Sequence, residues 1–267
     1  MLAQPGFEGA NRGQTMAAWK NDGRENEGRE NYGIDAPGVV RNLVIIGFTL
    51  WAVLLAVHIY GGPEWLAALL PAMRGAGIGC LAMSLWMVSS SLWFKQIVMR
   101  RLLDSHVWRG DEQVLDVGCG RGLVAVGAAR RLGPGGQVHG LDLWQARDLS
   151  DNNPANAIAN AEAAGVADRL VIDTGDMRKM PYADGQFDVI ASMTAIHNID
   201  DRDGRAQAIA EIWRVTKPGG QILIYDIRHT RSYASQLKGL GAIDLRMSWP
   251  ILLWGVFGRR FSAMKPG

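Results

Sequence analysis

The stretch Val114-Leu115-Asp116-Val117-Gly118-Cys119-Gly120-Arg121-Gly122 decides the fold of this chain. A short apolar strand pattern runs into a turn of alternating glycines, and a helix-like segment, 123–131, follows at once. Glycines in such a turn let backbone amides approach a ligand with no Cβ in the way, at the carboxyl end of a strand, where open α/β sheets bind their ligands. A nucleotide-like ligand is implied. Dinucleotide enzymes use a related turn spaced G-x-G-x-x-G, whereas the spacing here is G-x-G-x-G.

Aliphatic runs at 114–117, 138–143, 169–174, 187–192 and 221–227 alternate with helix-like segments, and 242–248 and 259–265 are candidate final strands. A short helix is expected at 233–240. Strands alternating with helices predict a parallel sheet built from crossover units. The net charge of +2, from 28 basic and 26 acidic residues, is too nearly balanced to suggest electrostatic nucleic-acid binding. Cys80 lies in an apolar run and Cys119 in the glycine turn, which suggests neither a disulfide framework nor a cysteine metal cluster.

The glycine spacing, with an acid two residues ahead of the first glycine, resembles the first motif of class I S-adenosylmethionine-dependent methyltransferases. Further matches follow in order: Asp142 ending the second strand, Gly175-Asp176-Met177 after the third, Phe187-Asp188-Val189-Ile190-Ala191-Ser192-Met193 at the fourth, and the turn Lys217-Pro218-Gly219-Gly220 before the fifth. The resemblance covers most of the chain from residue 108 onward and implies a Rossmann-like α/β sheet of seven strands with helices on both faces. It also implies S-adenosyl-L-methionine as cofactor, bound by Asp116, Gly118, Cys119, Gly120, Gly122, Asp142, Leu143, Asp176, Met177, Ser192 and Met193. In that family the acid matched by Asp142 accepts from both ribose hydroxyls, and the pair matched by Asp176 and Met177 contacts the adenine. Among its branches the chain is most similar to small-molecule methyltransferases, a group that includes the quinone-biosynthesis C-methyltransferases. It departs from them in a longer stretch at 144–154 and in an additional N-terminal region.

That region has two parts. Residues 1–40 are polar, without aliphatic periodicity, and read as a tail unable to bury enough apolar surface to order itself. Its acids and the absence of an early apolar core are unlike a transit or signal peptide. Residues 41–107 then read as a membrane hairpin with a linker helix. The uncharged run at 42–60 would extend roughly 28 Å as a helix, near the hydrocarbon thickness of a bilayer. A second uncharged run at 75–94 carries Gly75 and Gly79 at a spacing that permits close helix approach. A buried core helix is the alternative for each. Arg29 and Arg41 precede the first span, Arg74 alone lies between them, and Lys95, Arg100 and Arg101 follow the second. By the positive-inside rule, both ends and the catalytic domain face the cytoplasm.

His197, just beyond the fourth strand where methyltransferase substrates bind, is the candidate catalytic residue, histidine being a side chain type suited to act as a base; packing or helix capping is the alternative. Asp200, Asp201 and Asp203 read as the opening of a helix rather than a metal site, and no metal is expected. His139 and Tyr225 read as packing, and Cys119 as part of the cofactor turn rather than a nucleophile. The stretch 144–154 is either a cover over the cofactor and substrate mouth or a solvated loop. The run 249–257 is too short to span a membrane, and either dips into its interface, walls a lipophilic pocket, or fills core. The expected protein is thus a membrane-tethered methyltransferase with a small, lipophilic acceptor. A non-catalytic interaction module on the same fold is the competing reading, and a nicotinamide oxidoreductase is disfavoured by the glycine spacing.

Overall fold

The computed structural model describes residues 30–145 and 152–267. Strands β1 (Gln113–Val117), β2 (Gln137–Asp142), β3 (Leu170–Thr174), β4 (Phe187–Met193), β5 (Thr216–Asp226), β6 (Ile243–Met247), β7 (Ile251–Leu253) and β8 (Val256–Met264) form one sheet ordered β3-β2-β1-β4-β5-β8-β6, with the short β7 paired to β8. The first five strands pair in parallel, and β8 runs antiparallel to both of its long neighbours. The seven-stranded expectation therefore holds, with β7 as a small extra hairpin arm. The order reverses at β1, so the carboxyl ends of β1 and β4 open a crevice there.

Helices α1 (Pro37–Tyr60), α2 (Glu64–Ala67), α3 (Leu70–Ser89) and α4 (Lys95–Leu103) precede the sheet, and α5 (Leu123–Ala129), α6 (Pro154–Ala163), α7 (Arg202–Val215) and α8 (Thr230–Gly239) are threaded between its strands. Side chains alternate along each strand, and so feed two cores. Val114, Val138, Val189 and Leu223 pack toward α4, α5 and α6, whereas Leu115, Leu141, Ile190 and Ile222 pack toward α7 and α8. Asp201 caps α7 by accepting from the Gly204 N–H at 2.5 Å, so the Asp200–Asp203 acids open a helix. The Lys217-Pro218-Gly219-Gly220 turn is absorbed into β5 as an irregularity: Phe187 pairs with Thr216 and Val189 already with Gln221.

The two apolar runs become long helices, each long and apolar enough to cross a membrane. The second continues past the uncharged run: α3 passes through a π-helical turn, Ser90–Phe94, straight into α4. α1 and α3 pack side by side, but not through Gly75 and Gly79, which face open space. Gly47 and Gly77 make the close approach instead, since a Cβ on Gly47 would reach within 2.8 Å of Leu81 and one on Gly77 within 3.0 Å of Trp51 Nε1. Two residues turn a helix by about 200°, so Gly77 lies opposite the face carrying Gly75 and Gly79. Outside that seam, Phe48, Leu55, Ile78 and Leu85 are exposed.

α4 belongs to the core of the sheet domain rather than to a free linker. Its Val98, Met99, Leu102 and Leu103 are buried against α5, where Gly127 leaves room for the Met99 and Leu103 side chains. Residues 30–36 are likewise seated rather than tail-like. The Asn31 N–H donates to Asn160 Oδ1 at 2.7 Å, Glu30 pairs with Arg130, and the Asp35 N–H donates to Ser91 Oγ at 3.0 Å. Residues 37–40 of the expected polar tail open α1, and 1–29 lie outside the described residues. Leu103→Ala is expected to destabilise the sheet domain by about 2–5 kcal/mol through the cavity it leaves. Denaturant unfolding followed by a probe within the domain checks this, and an unchanged midpoint would mean that α4 is a detachable linker.

Candidate functional site

The crevice at the β1 and β4 carboxyl ends is a cavity of about 270 Å³. Its floor is the glycine turn. Gly118 and Gly120 hold φ of 75° and 51°, and a Cβ on Gly118 would overlap the Ala195 side chain, so only glycine fits there. Gly122, at φ 80°, leads the turn into α5. Asp142, at the end of β2, braces it: Oδ2 accepts the Gly120 N–H at 2.9 Å, while Oδ1 accepts the Trp144 N–H at 2.7 Å and Asn152 Nδ2 at 3.2 Å. A carboxylate has about four accepting positions, and among the described residues three are filled.

Asp116 lies one strand over, buried, with Oδ2 accepting the Ala125 N–H at 2.9 Å and Oδ1 partnerless. Burial, with the nearby charge of Asp142, pushes its carboxyl up to about 8. Burial also raises the Cys119 thiol well above its ordinary range, which leaves it protonated and unsuited to be a nucleophile. Asp176 is opposite in character, since two-pronged hydrogen bonds from Arg178 at 2.6 and 2.9 Å hold its carboxyl below the usual range.

Of the residues singled out in the sequence, Asp116, Gly118, Cys119, Gly120, Asp142, Leu143, Asp176, Met177 and Met193 line the cavity. Gly122 and Ser192 stand behind it. Ser192 Oγ donates to the Val117 carbonyl at 2.8 Å and ties β4 to β1. His197 is not brought to the cavity. Its backbone N–H donates to Asp226 Oδ2 at 3.0 Å, and its Nδ1 lies 2.6 Å from Asp226 Oδ1, on the far side of the wall formed by Ala195 and Asn198. His139 and Tyr225 are within the sheet. His139 pairs with Asp173 at 2.8 Å, and Tyr225 is buried. Among the described residues, no group of three His, Cys, Asp or Glu side chains could hold a metal ion.

Among the lining residues that the sequence reading assigned to no site are Tyr32, Asp35 and Lys95; Trp254 joins them from the run 249–257, for which a pocket wall was one of the readings. Lys95, buried at the start of α4, donates to the carbonyls of Tyr32 and Gly33 at 2.9 and 3.1 Å and to Asp35 Oδ2 at 2.9 Å. Trp254 Nε1 donates at 3.1 Å to the Ser91 Oγ that also receives the Asp35 N–H. The signal for Lys95 was present in its place as the first charge after a long apolar run. Tyr32 and Asp35 lay in a stretch read only by composition. In the stretch 144–154, Gln145 and Asn152 reach the cavity and Trp144 Nε1 donates to Thr174 Oγ1 at 2.9 Å, while 146–151 lie outside the described residues.

Asp116 makes stability depend on pH. The folded protein keeps a proton up to about pH 8 that the unfolded chain, at the ordinary value of 3.8, has already released, so stability falls as pH rises through that window. Between about pH 6 and 8 the loss is expected to approach tenfold in the folding equilibrium per pH unit at most. Thermal unfolding of the ligand-free protein checks this: Asp116→Asn should flatten the slope, and an unchanged slope would assign it to another group.

Residues 115–224 match the family described as a methyltransferase domain. A ubiquinone/menaquinone biosynthesis C-methyltransferase from Roseobacter denitrificans is 31% identical over 51% of this chain and 50% of its own length. A demethylmenaquinone methyltransferase from Lactobacillus johnsonii is 32% identical over 42% of each chain, and methyltransferase GfsG of Streptomyces halstedii is 36% identical over 43% of this chain and 37% of its own. The chain thus spans at most about half the length of these curated relatives. The solved YcgJ protein from Bacillus subtilis shares the fold at a TM-score of 0.51 and 14% identity, covering 64% of this chain and 99% of its own. The [4+2]-cyclase SpnF does so at 0.51 and 19%, covering 64% and 81%. The residues in place suit S-adenosylmethionine: main chain exposed by glycine, a buried carboxyl oxygen without a partner, and a strand-end acid in the lining. The chain thus carries a methyltransferase domain over residues 115–224.

Proposed function

We propose that the protein is a membrane-anchored S-adenosylmethionine-dependent methyltransferase that acts on a small, lipophilic acceptor, with the quinone precursors of its relatives as the leading class and lipid amines or hydrophobic thiols also admissible. One observation carries this reading. The cavity has two kinds of wall, one from the cofactor turn and strand ends, the other from Tyr32, Asp35, Trp254 and the Lys95 that begins the helix continuing from the second apolar span. An acceptor dissolved in lipid would reach that second wall without crossing bulk water. The basic residues flanking the apolar helices support a cytoplasmic catalytic domain.

When bound, the cofactor supplies a methyl group on a sulfonium, and the positive charge is lost as the methyl leaves. The protein's part is to align the acceptor and keep water out. Met193, Thr194 and Ala195 line the cavity at the end of β4, Thr194 in a left-handed conformation (φ 55°) that costs about 1–3 kcal/mol and re-aims the chain there. His197 fits a positioning residue, holding the 195–198 turn through Asp226, better than a base in contact with the acceptor.

A fold shared with a cyclase does not by itself fix methyl transfer. Incubation of the purified full chain with methyl-labelled cofactor and a native lipid extract should yield a labelled, organic-extractable product. Cofactor binding with no labelled product would favour the non-catalytic interaction module. Trp254→Ala should lower kcat/KM for that acceptor by roughly tenfold, equal to about 1.4 kcal/mol of lost contact, with cofactor affinity unchanged. A loss in cofactor affinity instead would place Trp254 on the wrong wall.

A further inference from the structure

The β7–β8 hairpin is poorly explained as part of the sheet. Its Leu252, Val256 and Phe257 are exposed, as is Trp249 just before it, and Phe257 retains 67% of its surface. Edge strands of soluble domains are ordinarily blunted by charge, whereas this one is aromatic and aliphatic at its tip.

Its direction is fixed by three contacts along a single helical rod. At the tip, a Cβ on Gly255 would lie 3.0 Å from Met83 Sδ on α3. Lower down, Trp254 bonds Ser91 in the π-helical turn, and at the base the Arg260 guanidinium donates to the Arg101 carbonyl in the last turn of α4. The hairpin therefore runs alongside the helix with its tip toward the apolar span. Met83 precedes Phe94, the end of the uncharged run, by about 16 Å of helix rise. Basic side chains gather behind the tip: Arg228, Arg231 and Arg259 line a crevice that reaches Phe257.

We propose that this hairpin is a third membrane-seated element, its tip inserted beside the second span and its basal arginines gripping the phosphates of an anionic lipid leaflet. The inference depends on the membrane reading above. An apolar tip below a ring of guanidinium groups has the division of an interfacial anchor, with apolar area entering the acyl region and cations meeting anionic headgroups. It also places Trp254, which walls the cavity, at the level where a lipid-soluble acceptor leaves the bilayer.

The full chain carrying Cys80→Ser and an environment-sensitive dye at Phe257→Cys, or separately at Leu252→Cys, is reconstituted in nanodiscs. Leu55→Cys in α1 and Asp168→Cys at the far edge of the sheet serve as references. Dye at 257 and 252 should be quenched by spin-labelled lipids as dye at 55 is, while dye at 168 stays unquenched. Spin-labelled phosphatidylglycerol should quench position 257 more than phosphatidylcholine does, by roughly fivefold for each engaged arginine. Arg228→Gln, Arg231→Gln and Arg259→Gln together should bring the two lipids to parity. Quenching at 55 but not at 257 or 252 overturns the hairpin assignment and leaves the anchor standing. No quenching at 55 overturns the membrane reading itself. A blue shift at 257 that grows with protein concentration and ignores lipid quenchers identifies a second copy of the chain as the occupant, and also overturns the assignment.

Discussion

The Asp142 carboxylate braces the glycine turn that floors the cavity. By accepting the Gly120 N–H from one loop and the Trp144 N–H from the next, it locks the exits of β1 and β2 together at the point where strand order reverses. Left-handed glycines on one side of that contact and the Asp116 carboxyl on the other leave a pocket of exposed main chain and acids, which suits a cationic, adenosine-like ligand. Without the brace, a run of glycines would have many conformations, and the entropy of fixing them would fall on ligand binding.

The same pocket is incomplete without the N-terminal region. Lys95 supplies three hydrogen bonds to residues 32–35, so a helix continuous with an apolar span and a strap preceding the first span are fastened to each other at the mouth of the cavity. A lysine that is 4% exposed is tolerated because each of its three protons has an acceptor, one of them anionic. The α4 contacts with α5 fix this junction to the sheet. The helix that continues the second apolar span consequently shares a core with the sheet domain and is not a flexible linker.

Much of this was legible in the sequence, for reasons that also mark where reading stopped. The β1 turn, Asp142 and Asp176 are local signals, since strand period, glycine spacing and acid position all lie within a few residues of one another. The helical rod through Ser90–Phe94 and into α4 followed from apolar spacing. The strap at 30–36 was invisible because its order comes from partners far along the chain, Asn160 and Arg130 among them, and composition carries no such information. Gly77 was passed over for Gly75 and Gly79 because spacing names a face without naming its neighbour. His197 looked reactive by residue type and by distance from β4, yet the direction of its ring depended on Asp226, which the chain places 29 residues away.

The charge arrangement around the cavity separates two routes. Asp116, Asp142 and Asp176 stand on the side of the cofactor turn, where burial keeps Asp116 protonated until a positive group arrives to offset the cost of ionising it. On the other side the buried Lys95 is spent on the strap and on Asp35, so that wall presents carbonyl-bound ammonium, tyrosine and tryptophan. A water-borne cation and a neutral, lipid-borne acceptor would thus be drawn to opposite walls of one cavity. On the proposed reading they would meet near Met193 and Ala195, where β4 ends and the left-handed Thr194 turns the chain aside.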